Sequence, residues 1–565
     1  MRSTLRTLMG LMAVLVLALG AAACGGDDGD DGGGGGGDGA GGGGGRTGGT
    51  AIVNYTSFPD YMDPALSYTL EGWNSLWVVY TPLLAYRHEE GAAGAELIPG
   101  LAEALPEVTN GGKTYKLKLR QGLKYSDGSP VKASDFEHSI KRVLNLESGG
   151  SAFYLGIIGA EDYVKKGKPK GDIKGIVTDD STGDITINLK DADGSFQYVL
   201  AMNFASLVPS NTPFENLTKD PPPGVGPFKF ENMRQSRGYD LVRNENYTPI
   251  EGIPEPKLDK VTVSIVKNQQ RQVQDVIQNK VDWIIDPPAP DQMREVKAKY
   301  SDRFEEYVTN STYYYFMNER VKPFDDENVR KAVNFALDKR ALAKRFGGLL
   351  EPGCNFLPPG MKGYEKIDPC PYGVPGEAPD IEKAKQLIEE AGVKGDKVTV
   401  WANDEDPSKP TGEYLQDVLK QIGFDAELRI VEASNYFTTI GNQRTKSQIG
   451  FANWFQDFPH PRNFMFLVQG SSIQNTNNQN YGNVDDPEIN RLLDQANKEA
   501  DLEKAAPMYA QVDKLLVERA HTAPYGHRKL ANFTSERVDF ENCTVTHPVY
   551  ELDFTQFCLA SGGAS

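Results

Sequence analysis

The amino-acid sequence predicts an α/β protein with more than one domain, and three observations carry that expectation. At 565 residues the chain is too long for one hydrophobic core. Within it, Lys397 to Trp401 reads as a strand, Leu415 to Ile422 as a helix and Phe424 to Val431 as a second strand. That β-α-β order calls for a parallel pair with a right-handed crossover. The composition, 39% hydrophobic and 10% aromatic, is that of a soluble globular protein. A formal charge of −18 argues against nucleic acid, whose phosphates need basic patches, and identifies no substrate.

Taken in order, the chain opens on a targeting segment that does not belong to the fold. Arg2 and Arg6 form a short basic region, and Leu8 to Leu19 an apolar run too short for a settled transmembrane helix. Ala21, Ala22 and Ala23 then precede Cys24, which resembles a bacterial lipobox with Ala21 in place of the usual Leu. The resemblance implies a signal peptide over 1–23 and a diacylated Cys24, anchoring the protein on the extracytoplasmic face of a bacterial cell membrane. Ordinary cleavage near Ala23 is the alternative. Residues 24–49 are nearly all Gly and Asp, with no side chain able to offset the entropy of ordering them. They read as a disordered tether, whose reach at ~5–6 Å × √n is roughly 25–30 Å.

Beyond Cys24 the chain carries Cys354, Cys370, Cys543 and Cys558, and an exported protein can oxidise them. Three connectivities are open. The sequence neighbours Cys354–Cys370 and Cys543–Cys558 would each close a short loop, worth roughly 3 kcal/mol in the chain-entropy model. No paired C-x-x-C spacing favours zinc, so no metal is expected.

Ala51 to Val53 is a short strand, and Leu76 to Leu84 is apolar nearly throughout, as a buried segment would be. After a turn at Asn110-Gly111-Gly112, Tyr115, Leu117 and Leu119 alternate with Lys116, Lys118 and Arg120, a strand with one wet face. A helix follows from about Ala133, with Asp135 in its first turn and Phe136, Ile140 and Leu144 on one face. Asp184 to Leu189 alternates after a turn at Ser181-Thr182-Gly183, which predicts a hairpin. Gln270 to Asp282 reads as a helix leading into a strand. Val329, Ala332, Val333, Ala336 and Leu337 keep helical spacing, which predicts one long helix ended by Gly347-Gly348. Amphipathic helices near 487–499 and 502–519 complete the chain.

Four pieces of this sequence resemble the signature of the family 5 solute-binding proteins, the oligopeptide-binding partners of ABC importers. They are Leu97 through Glu103, Leu119 through Gly122, Ser126-Asp127-Gly128, and Ala133 through Arg142; Lys132 stands where a capping Thr is usual. Met62-Asp63-Pro64, the turn Gly224 to Phe228 and the block Val329 to Asp338 extend the likeness over nearly all of 50–555. It implies a bilobal periplasmic-binding-protein-like fold of the large, three-subdomain type II form, with strands crossing a hinge. Lobe I would comprise 50–85, an insert at 86–208, 209–312 and a C-terminal return at 531–565, with lobe II at 313–530. It further implies hinge closure on a short peptide, delivery to the transmembrane subunits of an ABC permease, no cofactor, and a monomer. The alternative is the same receptor type for a metal chelate, a glycan or an amino-acid derivative.

No catalytic pattern competes with this. The six histidines form no HExxH, and there is no G-x-S-x-G elbow. Gly112-Lys113-Thr114 has Glu107 where a phosphate loop needs its first Gly, and a strand follows it. An enzyme is therefore not expected, and a secreted hydrolase is the remote alternative. The informative stretch is Asn453 to Pro461, which resembles the family's Gly-Trp-x-x-Asp-(aromatic)-x-x-Pro segment, with Asn453 in place of Gly. By that resemblance Asp457 takes a peptide's N-terminal ammonium, while backbone around Asn453, Trp454 and Phe455 pairs with the peptide main chain. Tyr68, Leu70, Glu71 and Trp73 would edge the cleft from lobe I, and of Tyr313 to Tyr315, which alternate along a crossing strand, Tyr315 would face ligand. Phe451 stands where some oligopeptide binders carry an Arg, which leaves recognition of a peptide's carboxylate end open.

Overall fold

A computed structural model of the chain describes residues 45–164 and 171–561. The signal segment, Cys24 and most of the glycine tether lie outside the described residues. The end of the expected tether is inside them, and it is fastened down. Arg46 N donates to Leu559 O at 2.8 Å, Gly48 N to Lys257 O at 2.7 Å and Gly49 N to Asp259 Oδ2 at 2.7 Å. No helix among the described residues is long and apolar enough to cross a membrane.

The chain builds two large hydrophobic cores. The first gathers residues from 51 to 285 with Phe458 and the C-terminal stretch 538–559. Its central sheet runs in the order Trp283–Ile284, Thr50–Tyr55, Lys260–Ile265, Gly238–Arg243, Phe228–Arg234. Thr50–Tyr55 is parallel to both neighbours, with Ala51, Val53 and Tyr55 fully buried. The helix Leu70–Val79 is capped by Thr69, whose hydroxyl accepts from Gly72 N, and its last eight residues are all buried. A second sheet, Glu107–Thr109, Thr114–Lys118, Asp184–Asn188, Ile176–Asp179, holds the amphipathic strand read from the sequence: Tyr115 and Leu117 are buried, Lys116 and Lys118 exposed. The helix Ser134–Asn145 buries Phe136, Ile140 and Leu144. Its Arg142, fully buried, donates to Asp63 Oδ1 at 3.0 Å and Oδ2 at 2.7 Å, tying the helix to the start of the fold through a bidentate ion pair.

The second core spans 313–525. Its sheet runs Phe304–Val308, Thr522–Phe533, Ser311–Met317, Ile449–Phe455, Lys397–Asn403, Asp425–Val431, and the last two strands are the parallel pair expected around the helix Ser408–Ile422. The single long helix expected after Pro323 is instead two, Glu327–Ala336 and Lys339–Arg345. Asp338 breaks it: its Oδ1 accepts from Arg340 N and Ala341 N, and Leu337 is extended, so a side-chain cap outcompetes one more turn.

The hinge is carried by the strand Thr522–Phe533. Near its start it pairs with Ser311–Met317 in the second core; its end pairs with Phe304–Val308, and Thr534 beyond it bridges Trp283 in the first. Disulfides join Cys354 to Cys370 and Cys543 to Cys558, with Cα atoms 6.0 and 5.3 Å apart.

Candidate ligand-binding site

Where the two cores face each other lies a cavity of about 1270 Å³. Leu70, the stretch 90–97 and residues 546–551 wall it from the first core; residues 359–365 and Phe455 wall it from the second, and Tyr307 to Asn310 of the hinge run along it. Leu70, Val308 and Phe455 are 39%, 41% and 43% exposed, so an apolar residue from each lobe and one from the hinge all look into the same space. The volume exceeds that of ordinary small-molecule pockets and suits a ligand of several residues. A separate void of about 20 Å³ beneath Trp77 and His88 has room for little more than one water.

The strand Ile449–Phe455 delivers its last residue to the cavity, and Gln456 follows as a brace. Its N–H donates to Asn310 O at 3.0 Å, its Oε1 accepts from Asn310 Nδ2 at 3.0 Å, and its Nε2 donates to Pro548 O at 2.5 Å. One side chain thus links second core, hinge and first core. Asp457, only 6% exposed, comes next. Its Oδ1 accepts from Tyr68 Oη at 2.8 Å, its Oδ2 from Asn463 Nδ2 at 2.7 Å, and its own N–H donates to Asn463 Oδ1 at 2.8 Å. Burial pushes the Asp457 carboxyl up to about 6, against the opposing pull of those two donors. Tyr68 stacks on Trp73 and meets Phe204 edge-on, so the hydroxyl reaching Asp457 sits on a rigid aromatic platform. Phe458 then inserts into the first core. Arg462 pairs with Asp193, and Gly194 N donates to Asn497 O at 2.9 Å, extending the seam between lobes.

Of the residues read from the sequence, Leu70 and Phe455 line the cavity. Tyr68 and Asp457 meet each other in the seam instead. Trp73 is buried, its indole N–H donating to Ser67 O, and Trp454 donates to Asn463 Oδ1 and packs against Phe466. Asn453 sits mid-strand opposite Tyr313. Tyr315 must be corrected: it is fully buried and its hydroxyl donates to Thr411 O, because both faces of Ser311–Met317 are covered and every residue of that strand is buried. Glu71, half-buried, accepts from Ser57 Oγ; burial, then the charge of Asp286, raises its carboxyl above the usual range.

The sequence reading missed the acids of the cavity wall: Glu90, Glu305, Glu365 and Glu551 line it and have no ion-pair partner among the described residues. The sole grouping of possible metal ligands among the described residues is Asp539, Cys543 and Cys558, and its sulfurs are bonded to each other.

Against known proteins, a family model described as bacterial extracellular solute-binding proteins, family 5 Middle, matches residues 96–476. The dipeptide-binding protein DppE of Bacillus subtilis (strain 168) is 26% identical over 526 residues, 89% of this chain and 90% of its own. Heme-binding protein A of Haemophilus influenzae is 28% identical over 479 residues, 80% of this chain and 81% of its own. Among solved structures, clavulanic acid biosynthesis oligopeptide binding protein 2 superposes with a TM-score of 0.82 at 24% identity, covering 91% of this chain and 96% of that one. All are named for what they bind, not for a reaction.

Proposed function

The chain belongs to the bacterial extracellular solute-binding proteins of family 5, substrate-binding proteins of ABC importers and not enzymes, and from that premise we propose that it captures a short peptide in the cavity between its lobes. The observation that carries this reading is the cavity itself: about 1270 Å³, walled by both lobes, with the end of a strand and the hinge backbone at its side. A peptide always offers N–H and C=O groups at regular spacing, which strand-like backbone recognises whatever the side chains. The relatives named for dipeptides and oligopeptides support the same cargo.

Capture works by closure. The contacts Tyr68 to Asp457, Gln456 to Pro548 and Arg462 to Asp193 exist only while the lobes meet. A ligand touching both walls favours that state and shifts the population toward it. Micromolar binding supplies about 8 kcal/mol, ample against a lobe equilibrium of a few kcal/mol. In this reading Cys24 carries the lipid anchor, residues 25–44 form the tether, and the closed monomer is what an ABC permease recognises. Leu70 and Phe455 face the ligand from the two lobes, and Tyr68 with Asp457 serves the seam.

A second reading has one specific support, the relative named for heme. Native mass spectrometry of the purified protein separates the two. A mixed set of short peptides is expected; one defined non-peptide mass would overturn the peptide reading.

A further inference from the structure

Glu551 occupies an unusual position. It is 5% exposed, lines the cavity, and its Oε2 has no hydrogen-bond partner. Its backbone φ is +64°, in the left-handed region that costs a non-glycine residue of order 1 kcal/mol. A buried carboxyl without a donor is costly, and native structures rarely keep one without a use. Nothing nearby offers a counter-charge. Glu305 and Glu90 line the same cavity, as does Tyr307, whose phenol burial keeps neutral. Lys362, the one lysine or arginine lining the cavity, is already paired with Glu503 at 2.6 Å.

We propose that Glu551 is the seat for a positive charge on a ligand side chain, a primary ammonium or a guanidinium, so that the cavity selects cationic peptides. This rests on the peptide reading above. An N–H⁺ donor would fill the vacancy at Oε2, and the strength of a charge-assisted bond to a carboxyl only 5% exposed would outweigh the desolvation of both groups. A neutral donor would satisfy the oxygen but leave the potential of Glu551, Glu305 and Glu90 unanswered, and an anionic side chain would be repelled. Burial, then the charges of Glu71 and Asp286, hold the Glu551 carboxyl well above the usual range, so its charge is disfavoured until a cation arrives to stabilise it. Asp457 does not compete for this role, since each of its oxygens already accepts a hydrogen bond.

The test is calorimetric titration of the full mature chain, freed of co-purified ligand, with tetra-alanine, its four single-lysine variants, its four single-glutamate variants, and the N-acetylated form of each. At least one lysine position is expected to improve affinity tenfold or more over alanine at that position, in the N-acetylated series as in the free one, and glutamate to weaken it. A gain from the free amino terminus alone, with none from any lysine, overturns the inference, since every unblocked peptide carries that ammonium. In Glu551→Gln the lysine gain is expected to shrink to within twofold. Equal affinity of cationic and neutral peptides for the wild-type protein overturns the inference without any variant, and so does a gain that survives in Glu551→Gln. Failure of every peptide to bind overturns the peptide reading instead, and the inference with it.

Discussion

Asp457 and Glu551 are both carboxyls withdrawn from water where the lobes face each other, and burial raises both. They differ in what surrounds them. Asp457 has Tyr68 on one oxygen and Asn463 on the other, and both oxygens are spent holding the protein to itself. Glu551 has a vacant oxygen beside a cavity and acidic neighbours. The difference teaches how to tell a structural carboxylate from a binding one when both are buried: by the donors already present. Asp63 marks the far end of the scale, with two donors from Arg142 and the backbone N–H groups of Ala65 and Leu217.

The largest effect is expected at that far end. Arg142→Met would strand the Asp63 carboxylate in a fully buried site, and breaking one partner of such a pair costs about 3–5 kcal/mol. Urea unfolding should show the midpoint falling accordingly with the slope unchanged. A loss below about 1 kcal/mol would mean that the backbone donors of Ala65 and Leu217 suffice for Asp63 and that pairing is not what distinguishes it.

Next in size is the pH response of Asp457. Its carboxyl is raised from 3.8 to about 6 in the folded protein, so between pH 4 and 6 the native state holds a proton that the unfolded chain has released. Stability from this group is therefore complete below about pH 4 and lost as pH rises through 6. The two units correspond to about 3 kcal/mol. Asp457→Asn removes the titration, so wild type minus variant should decline across that window and flatten above it. A flat difference would show that Tyr68 and Asn463 already hold the carboxylate fully charged at pH 4.

How much of this was legible beforehand follows the range over which each feature is determined. The strand Thr114–Lys118 and the helix Ser134–Asn145 are written in local periodicity, and both stand where that periodicity put them. The break at Asp338 was present as a capping residue but hidden, because the apolar spacing continues to Leu337 and local pattern does not say which of two local preferences prevails. Tyr315 shows the limit of alternation: period two separates faces, and only the tertiary layers decide that both are covered. Asp457 was reached through likeness of its surrounding segment, though its partner Tyr68, 389 residues away, could not be named as such. Glu551 left no local sign. It lies after the loop toward the Cys543–Cys558 disulfide, in a two-residue strand, and gains its meaning from the chain's return beneath the cavity.

The smallest effect is the one that most sharpens the contrast. Glu551→Gln keeps the side chain's shape and removes only its ability to ionise. If the vacant Oε2 is a cost carried for the ligand's sake, its neutral replacement should leave the ligand-free protein equally stable or firmer by up to about 1 kcal/mol, since no internal bond is lost. The corresponding substitution at Asp457, where both oxygens accept hydrogen bonds, loses one of them because an amide nitrogen cannot accept. Thermal unfolding of the ligand-free protein reads the sign directly: a melting temperature equal to or above wild type agrees with a binding carboxyl, whereas a fall of several degrees would mean that Glu551 meets a partner within the protein and belongs with Asp457 and Asp63.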